Sequence, residues 1–145
     1  MSSEATLTIR ELFAADLDAV LELWSRTEGL GLNESDTHEA LQAFLRRNPG
    51  LSAVAASTDG RLIGAVLCGH DGRRGTIHHL AVSRPYRRQG VAKRLLEHCL
   101  SRLEQARIPR CNVFLYDDNE EVAKFWVHNG WEAAATWKTL QRRVG

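Results

Sequence analysis

Neither sign of charge prevails in this chain: 19 lysines and arginines stand against 18 acidic residues, for a formal charge of +1. So balanced a chain has no global field to draw in nucleic acid or an anionic membrane, and any anion site must be local. Cysteine is scarce as well. Cys68, Cys99 and Cys111 are odd in number and contain no CxxC pair, which argues against a disulfide framework and a structural zinc site. Free thiols and no metal are the expectation. No proline-, glycine- or serine-rich stretch acts as a linker, and 145 residues at 43% hydrophobic content are enough to bury one core, so a single domain spanning 1–145 is expected. No 18 apolar residues run consecutively, and the opening Met1-Ser2-Ser3-Glu4-Ala5-Thr6 lacks the basic and apolar regions of a secretory signal, so no membrane partner and a cytoplasmic location are expected. Neither GxxxxGK[ST] nor GxGxxG occurs, which removes the two common nucleotide-binding loops.

What is present is a readable alternation of periods. Thr6 to Leu12 places Leu7 and Ile9 between polar neighbours, a half-buried strand. From Asp16, the residues Leu17, Val20, Leu21 and Trp24 fall at helical spacing, and a second helix is expected from about Asp36 to Arg47, ended by Asn48-Pro49-Gly50. Leu51 to Ala56 and Leu62 to Cys68 read as antiparallel strands joined at Asp59-Gly60, and Thr76 to Val82 as a fourth strand after the turn Asp71 to Gly75. Gly90 to about Arg107 is the longest helix, with Val91, Leu95, Leu96, Cys99 and Leu103 on one face. Pro109 forbids its continuation. Cys111 to Tyr116 is then a strand parallel to the fourth, Asn119 opens a short helix to about Asn129, and Trp131 to Leu140 is the expected last strand. The fold class is α/β with a mixed, mainly antiparallel sheet flanked by helices.

The segment Val82-Ser83-Arg84-Pro85-Tyr86-Arg87-Arg88-Gln89-Gly90-Val91-Ala92-Lys93 joins a strand to the start of the long helix. Unpaired amides at a helix N-terminus attract anions, Gly90 and Ala92 let a phosphate approach the backbone, and Arg87, Arg88 and Lys93 add positive charge. A solvated arginine face with a glycine that eases the turn is the bland alternative; the segment reads better as a diphosphate cradle.

Arg87-x-x-Gly90-x-Ala92 resembles the [Q/R]-x-x-G-x-[G/A] signature of the GNAT superfamily of acyl-CoA-dependent N-acyltransferases, at the expected place between strand four and the long helix. The later run Asn119 to Trp131, containing Phe125, Trp126 and Gly130, is similar to the family's N-x-x-A-x-x-[LF]-Y-x-x-x-G-[FY] segment. The hairpin Gly69 to Gly75 resembles small bacterial members of the YpeA type. The resemblance implies a GNAT-like sheet splayed between strands 4 and 5, with acetyl-CoA as cosubstrate. It further implies that Leu80, Ala81 and Val82 pair with the pantetheine arm, and that Arg87, Arg88, Gln89, Gly90, Val91, Ala92 and Lys93 hold the diphosphate. Asn119 matches the family Asn that bonds the pantetheine, and suits a helix cap equally well.

The implied reaction is attack of a neutral amine on the acetyl thioester, which needs a base, an oxyanion donor and a proton for the departing thiolate. His78 matches the family's usual Glu on strand four, and histidine titrates in the right range. His79, pointing to the opposite face of a regular strand, is assigned to the acceptor side with Trp24 and Asn33. Spacing alone makes Trp24 core. Trp126 stands where the family usually has the acidic Tyr, and an indole N–H is no useful acid, so either the thiolate leaves as the anion or another donor, Tyr116 or a bound water, substitutes. Loss of catalysis, leaving an acetyl-CoA-binding sensor or scaffold, is the alternative reading. The partners expected are acetyl-CoA or CoA and a small-molecule or peptide amine acceptor, without nucleic acid, and a homodimer paired through the last strand with Trp131 and Trp137.

Overall fold

The computed structural model describes residues 7–115, 120–133 and 138–145. They fall into two compact units, Met1–Phe114 and Leu115–Gly145. The first holds β1 (Thr8–Glu11), α1 (Leu17–Ser25), α2 (His38–Arg47), β2 (Ala53–Ala56), β3 (Leu62–His70), β4 (Arg74–Val82), α3 (Val91–Gln105) and β5 (Arg110–Val113). Short 3₁₀ turns at Ala14–Asp16, Glu34–Asp36 and Arg84–Tyr86 interrupt the connections. The strands lie in the order β1-β2-β3-β4-β5, antiparallel as far as β4, with β5 parallel to it. The mixed α/β architecture expected from the alternating periods is the one observed.

Helices cover both faces of the sheet. A side chain at Gly64 or Gly75 would meet Leu95 or Leu103 of α3, whereas one at Gly69 would meet Phe44 of α2, and the period-2 pleat puts positions 64 and 69 on opposite faces. The core on the α1/α2 face joins Leu17, Val20 and Trp24 of α1 to Leu41 of α2 and to Val54, Ala65, Leu67 and Ala81 of the sheet. Close approach at Gly69 is obligatory: a Cβ there would stand 2.6 Å from Phe44 Cζ and 2.9 Å from Asn48 Nδ2. Asn48 cannot yield, because its Oδ1 accepts from the His70 N–H at 3.0 Å and its Nδ2 donates to the Phe44 carbonyl at 3.3 Å. Gly69→Ala should therefore cost about 1–3 kcal/mol in chemical denaturation. Gly75→Ala should cost less, since it meets the movable tip of Leu103.

The two helix starts are set by local contacts. Asp16 closes a 3₁₀ turn and is also the cap residue of α1, without a side-chain cap bond, whereas Asp36 closes a 3₁₀ turn just before Thr37. Asp16 is bound by both Nη atoms of Arg10, at 2.8 and 2.9 Å, and Thr37 is the cap of α2, its Oγ1 accepting from the Ala40 N–H at 3.1 Å. Of the expected last strand, residues 131–133 and 138–140 are not in a strand, and positions 134–137 of that segment lie outside the described residues.

In the second unit, α4 (Glu120–His128) carries Trp126, buried and edge-on to Phe125 and Trp131 at 5.5 and 4.9 Å between ring centroids. Gly130, at φ 92°, turns the chain back so that the Trp131 N–H reaches the Trp126 carbonyl at 3.0 Å. Among the described residues no helix is long and apolar enough to cross a membrane.

Candidate functional site

The site begins where β4 outruns its neighbour. β4 pairs with β5 only from Arg74↔Arg110 to Ile77↔Val113, yet continues to Val82. Among the described residues the outer edge of His78, His79, Leu80, Ala81 and Val82 is thus left without a strand partner, and an unpaired strand edge is a row of amide donors and acceptors that an extended ligand can join. This is the splay expected from the sequence.

β4 is also irregular at this point. Ala81 pairs with Ala65 and His78 with Leu67, so two β4 residues, His79 and Leu80, oppose the single residue Val66, which is the count of a β-bulge. His79 takes it up in the left-handed region, at φ 53°. The bulge corrects one expectation: a regular strand would send His79 to the face opposite His78, but both face α1 and α2. His78 lies edge-on to Phe44 at 6.3 Å, and His79 lies 5.0 Å from the buried Trp24 ring. His79 Nε2 is 2.8 Å from Oδ1 of Asp36, a residue 43 positions away in sequence. The other carboxylate oxygen of Asp36 accepts from the Asn33 N–H at 3.0 Å. Asp36 side-chain exposure is 8% and that of His79 is 19%, so this is a nearly enclosed carboxylate–imidazole pair. Asn33 itself caps the Glu34–Asp36 turn, its Oδ1 accepting from the Ser35 N–H at 2.8 Å.

Burial, and after it the charge of His79, hold the His78 imidazolium below its usual range, against a smaller upward pull from Asp36. A histidine depressed on folding binds its proton more readily in the unfolded chain, so it removes stability as pH falls through the unfolded value of about 6.5 and contributes nothing above it. His78→Gln should therefore gain melting temperature relative to the parent between pH 8 and pH 5, read by calorimetric scans across that interval.

Beyond Val82 the chain is drawn into the helix start by three bonds. The Ser83 N–H donates to the Ile63 carbonyl at 2.7 Å, Arg87 Nε donates to the Val82 carbonyl at 2.8 Å, and Gln89 Nε2 donates to the Pro85 carbonyl at 3.2 Å. Arg88 and Gly90 are both left-handed, at φ 63° and 78°, and such alternation turns successive amides toward one concavity. Gly90 caps α3 with no side-chain acceptor, and the Arg94 N–H is bonded to the Gly90 carbonyl at 3.1 Å. The amides of Val91, Ala92 and Lys93 are therefore not consumed by the helix. Gln89 Oε1 is a buried polar atom with no partner among the described residues. A Cβ on Gly90 would meet nothing within 4 Å, so the cradle is open in front of the cap. Free amides, an αL glycine and adjacent Arg88 and Lys93 are a donor set that suits a diphosphate and suits no metal cation.

Cys99 and Cys111 are poor nucleophiles. Burial, then Cys68, pushes the Cys111 thiol up to about 12, and Cys99 is raised by its contact with Cys68 and by burial, so neither carries appreciable thiolate at neutral pH. No group of histidines, cysteines and carboxylates suited to a metal ion occurs among the described residues. Tyr116 and Asn119 lie outside the described residues, and Trp126 belongs to the second unit. Asp36 was not legible as a site residue: its sequence neighbours mark only a helix start.

Residues 17–131 match the model of the acetyltransferase (GNAT) family. The chain is 29% identical over 116 residues to an acetyltransferase of Pectobacterium atrosepticum, covering 80% of this chain and 81% of the relative. It is 28% identical over 138 residues to one of Sodalis glossinidius, covering 95% and 96%. Among solved structures, PaiA N-acetyltransferase from Thermoplasma acidophilum in complex with coenzyme A superposes with a TM-score of 0.77 at 21% identity, over 94% of this chain and 93% of that one. Ard1 from Thermoplasma volcanium does so with a TM-score of 0.78 at 21% identity, over 90% and 85%.

Proposed function

The chain belongs to the GNAT acetyltransferase family and is an acetyl-CoA-dependent acyltransferase, and from that premise we propose that it acetylates a primary amine, the amine attacking the thioester directly. The observation that carries this reading is the contiguity of an unpaired β4 edge, His78 to Val82, with a left-handed turn whose amides open onto the start of α3. The diphosphate falls to the backbone from Arg88 to Lys93, with Arg87 holding the turn to the end of β4 through the Val82 carbonyl. Leu80, Ala81 and Val82 offer the edge to the pantetheine arm.

Acetyl-CoA, when bound, supplies an acyl carbon activated by its thioester. The protein supplies the rest. The pair His78 and His79 stands at the bulge where the strand parts from β5, and proton removal from the attacking nitrogen is assigned to it. The acceptor is bounded by the α1/α2 side, where Asn33 lies, while Trp24, with no exposed surface, backs the His79 ring from the core; Asn119 and Trp126 keep the cofactor-binding roles that the family resemblance gives them. Trp126 donates a hydrogen bond but no proton, so the thiolate leaves as the anion or takes a proton from Tyr116 or water; thiols being only weak acids, near 8.5, this slows the reaction without abolishing it.

The test is calorimetric titration with acetyl-CoA and CoA, followed by a thiol-release assay against benzylamine, spermidine, an aminoglycoside and a peptide with a free N-terminus. Saturable binding with turnover of an amine supports the reading. Binding without turnover of any amine favours the non-catalytic module that Trp126 suggests. A folded protein that binds neither compound overturns both.

A further inference from the structure

We propose that His79, not His78, is the proton acceptor of the acyl transfer, and that Asp36 positions it by holding Nε2 so that Nδ1 is presented to the attacking amine. This deepens the preceding reading and rests on it. The first support is geometric. An ionised carboxylate only accepts, so at 2.8 Å the proton shared with Asp36 Oδ1 is on His79 Nε2, and the lone pair is on Nδ1. Asp36 is fixed in turn by the Asn33 N–H, an orientation chain in which each group has one position.

The second support is the accumulation of unfavourable features around one side chain. His79 sits in the left-handed region, where a residue other than glycine is held against its preference, and such strain gathers at functional positions. Its ring packs at 5.0 Å on Trp24, whose side chain is wholly buried and whose Nε1–H has no partner among the described residues. A fastening between the Glu34–Asp36 turn and β4 alone would need neither the bulge nor an unsatisfied indole beside it. His78 differs: among the described residues no carboxylate is hydrogen-bonded to it, and its Phe44 neighbour leaves the ring in an apolar contact.

In the step assigned here, the amine nitrogen forms its bond to the acyl carbon and sheds one proton, which His79 takes on Nδ1. The carbon–sulfur bond breaks with its electron pair going to sulfur. The imidazolium is stabilised by Asp36 through Nε2 and then passes the Nδ1 proton to the thiolate or to solvent, returning to its starting form. The titratable groups facing His79 are Asp36 from the Glu34–Asp36 turn and His78 from its own strand; from α1 it meets Trp24, which does not titrate.

The first arm of the test needs no acceptor. Two-bond ¹H–¹⁵N spectra of the ¹⁵N-histidine-labelled full chain should show neutral His79 protonated on Nε2. The reverse tautomer overturns the proposal. The second arm is turnover with the amine found in the panel above. His79→Gln should lower kcat by about 100-fold or more with acetyl-CoA affinity retained, and at least tenfold more than His78→Gln does. Asp36→Asn should move the acid limb of the kcat/KM profile to lower pH, which loss of packing alone would not do. A His79→Gln enzyme as active as the parent, or a greater loss in His78→Gln, overturns the assignment. Absence of acetyl-CoA binding in calorimetry, with the tautomer as expected, is instead a failure of the family-level reaction in this chain.

Discussion

Gly90→Glu should weaken acetyl-CoA binding by about 100-fold or more, roughly 2.7 kcal/mol, in a protein that still folds. Gly90 is the cap of α3 at φ 78°, and the space where its side chain would stand is open to 4 Å. Nothing in the protein therefore clashes with the new side chain. Holding a non-glycine residue in this region costs about 1–2 kcal/mol, and a carboxylate at a helix N-terminus returns about 0.3–1 kcal/mol by meeting the free amides and the dipole. The same two facts decide the ligand's fate. The carboxylate competes for the amides of Val91, Ala92 and Lys93 and repels a diphosphate brought near them. Gly90→Ala separates the terms, since it carries the backbone cost without the charge and should bind acetyl-CoA within about tenfold of the parent. Calorimetric titration of both variants beside thermal melts checks the pair. Equal affinity in Gly90→Glu and Gly90→Ala would place the diphosphate elsewhere.

Trp24→Ala should lose about 3–5 kcal/mol of stability in chemical denaturation. The side chain is fully buried among Leu17, Val20 and Leu41 and against Ala65 and Ala81 of the sheet, so its removal leaves a cavity that α1 and the sheet cannot close without moving. Trp24→Phe should fall well short of that loss. It keeps an aromatic ring and removes an indole N–H that no described group accepts, a buried donor whose desolvation costs about 1–3 kcal/mol. A loss in Trp24→Phe equal to that in Trp24→Ala would show that Nε1–H is satisfied in solution.

Helical and strand periods carried most of the fold because burial on one face imposes them locally. The stripe Leu17, Val20, Trp24 and the run Val91 to Leu103 needed no knowledge of partners. The same holds for the cradle: Gly90 has a left-handed role in any chain that turns from a strand into a helix there, and the basic residues beside it are contiguous in sequence. The antiparallel hairpin at Asp59-Gly60 was legible from its turn residues alone. Helix starts were less so, because Asp16 and Asp36 suit a 3₁₀ turn and a helix cap equally, and the choice fell to Arg10 for one and to His79 and Thr37 for the other.

Alternation also misplaced His79, since period 2 holds only while each β4 residue has one partner on β3. The extra residue opposite Val66 reverses the side of everything that follows, and no local signal in His78-His79-Leu80 announces it. Sequence by itself thus determined the order of elements as far as α4, the α/β class and the left-handed glycine at the start of α3, all of which depend on neighbours within a few positions. Tertiary structure alone decided that two adjacent histidines share a face and that Asp36 meets one of them across 43 residues. The reason is that strand register and the meeting of distant side chains are set by the packing of the whole sheet against its helices, a sum over contacts that no window of the chain contains.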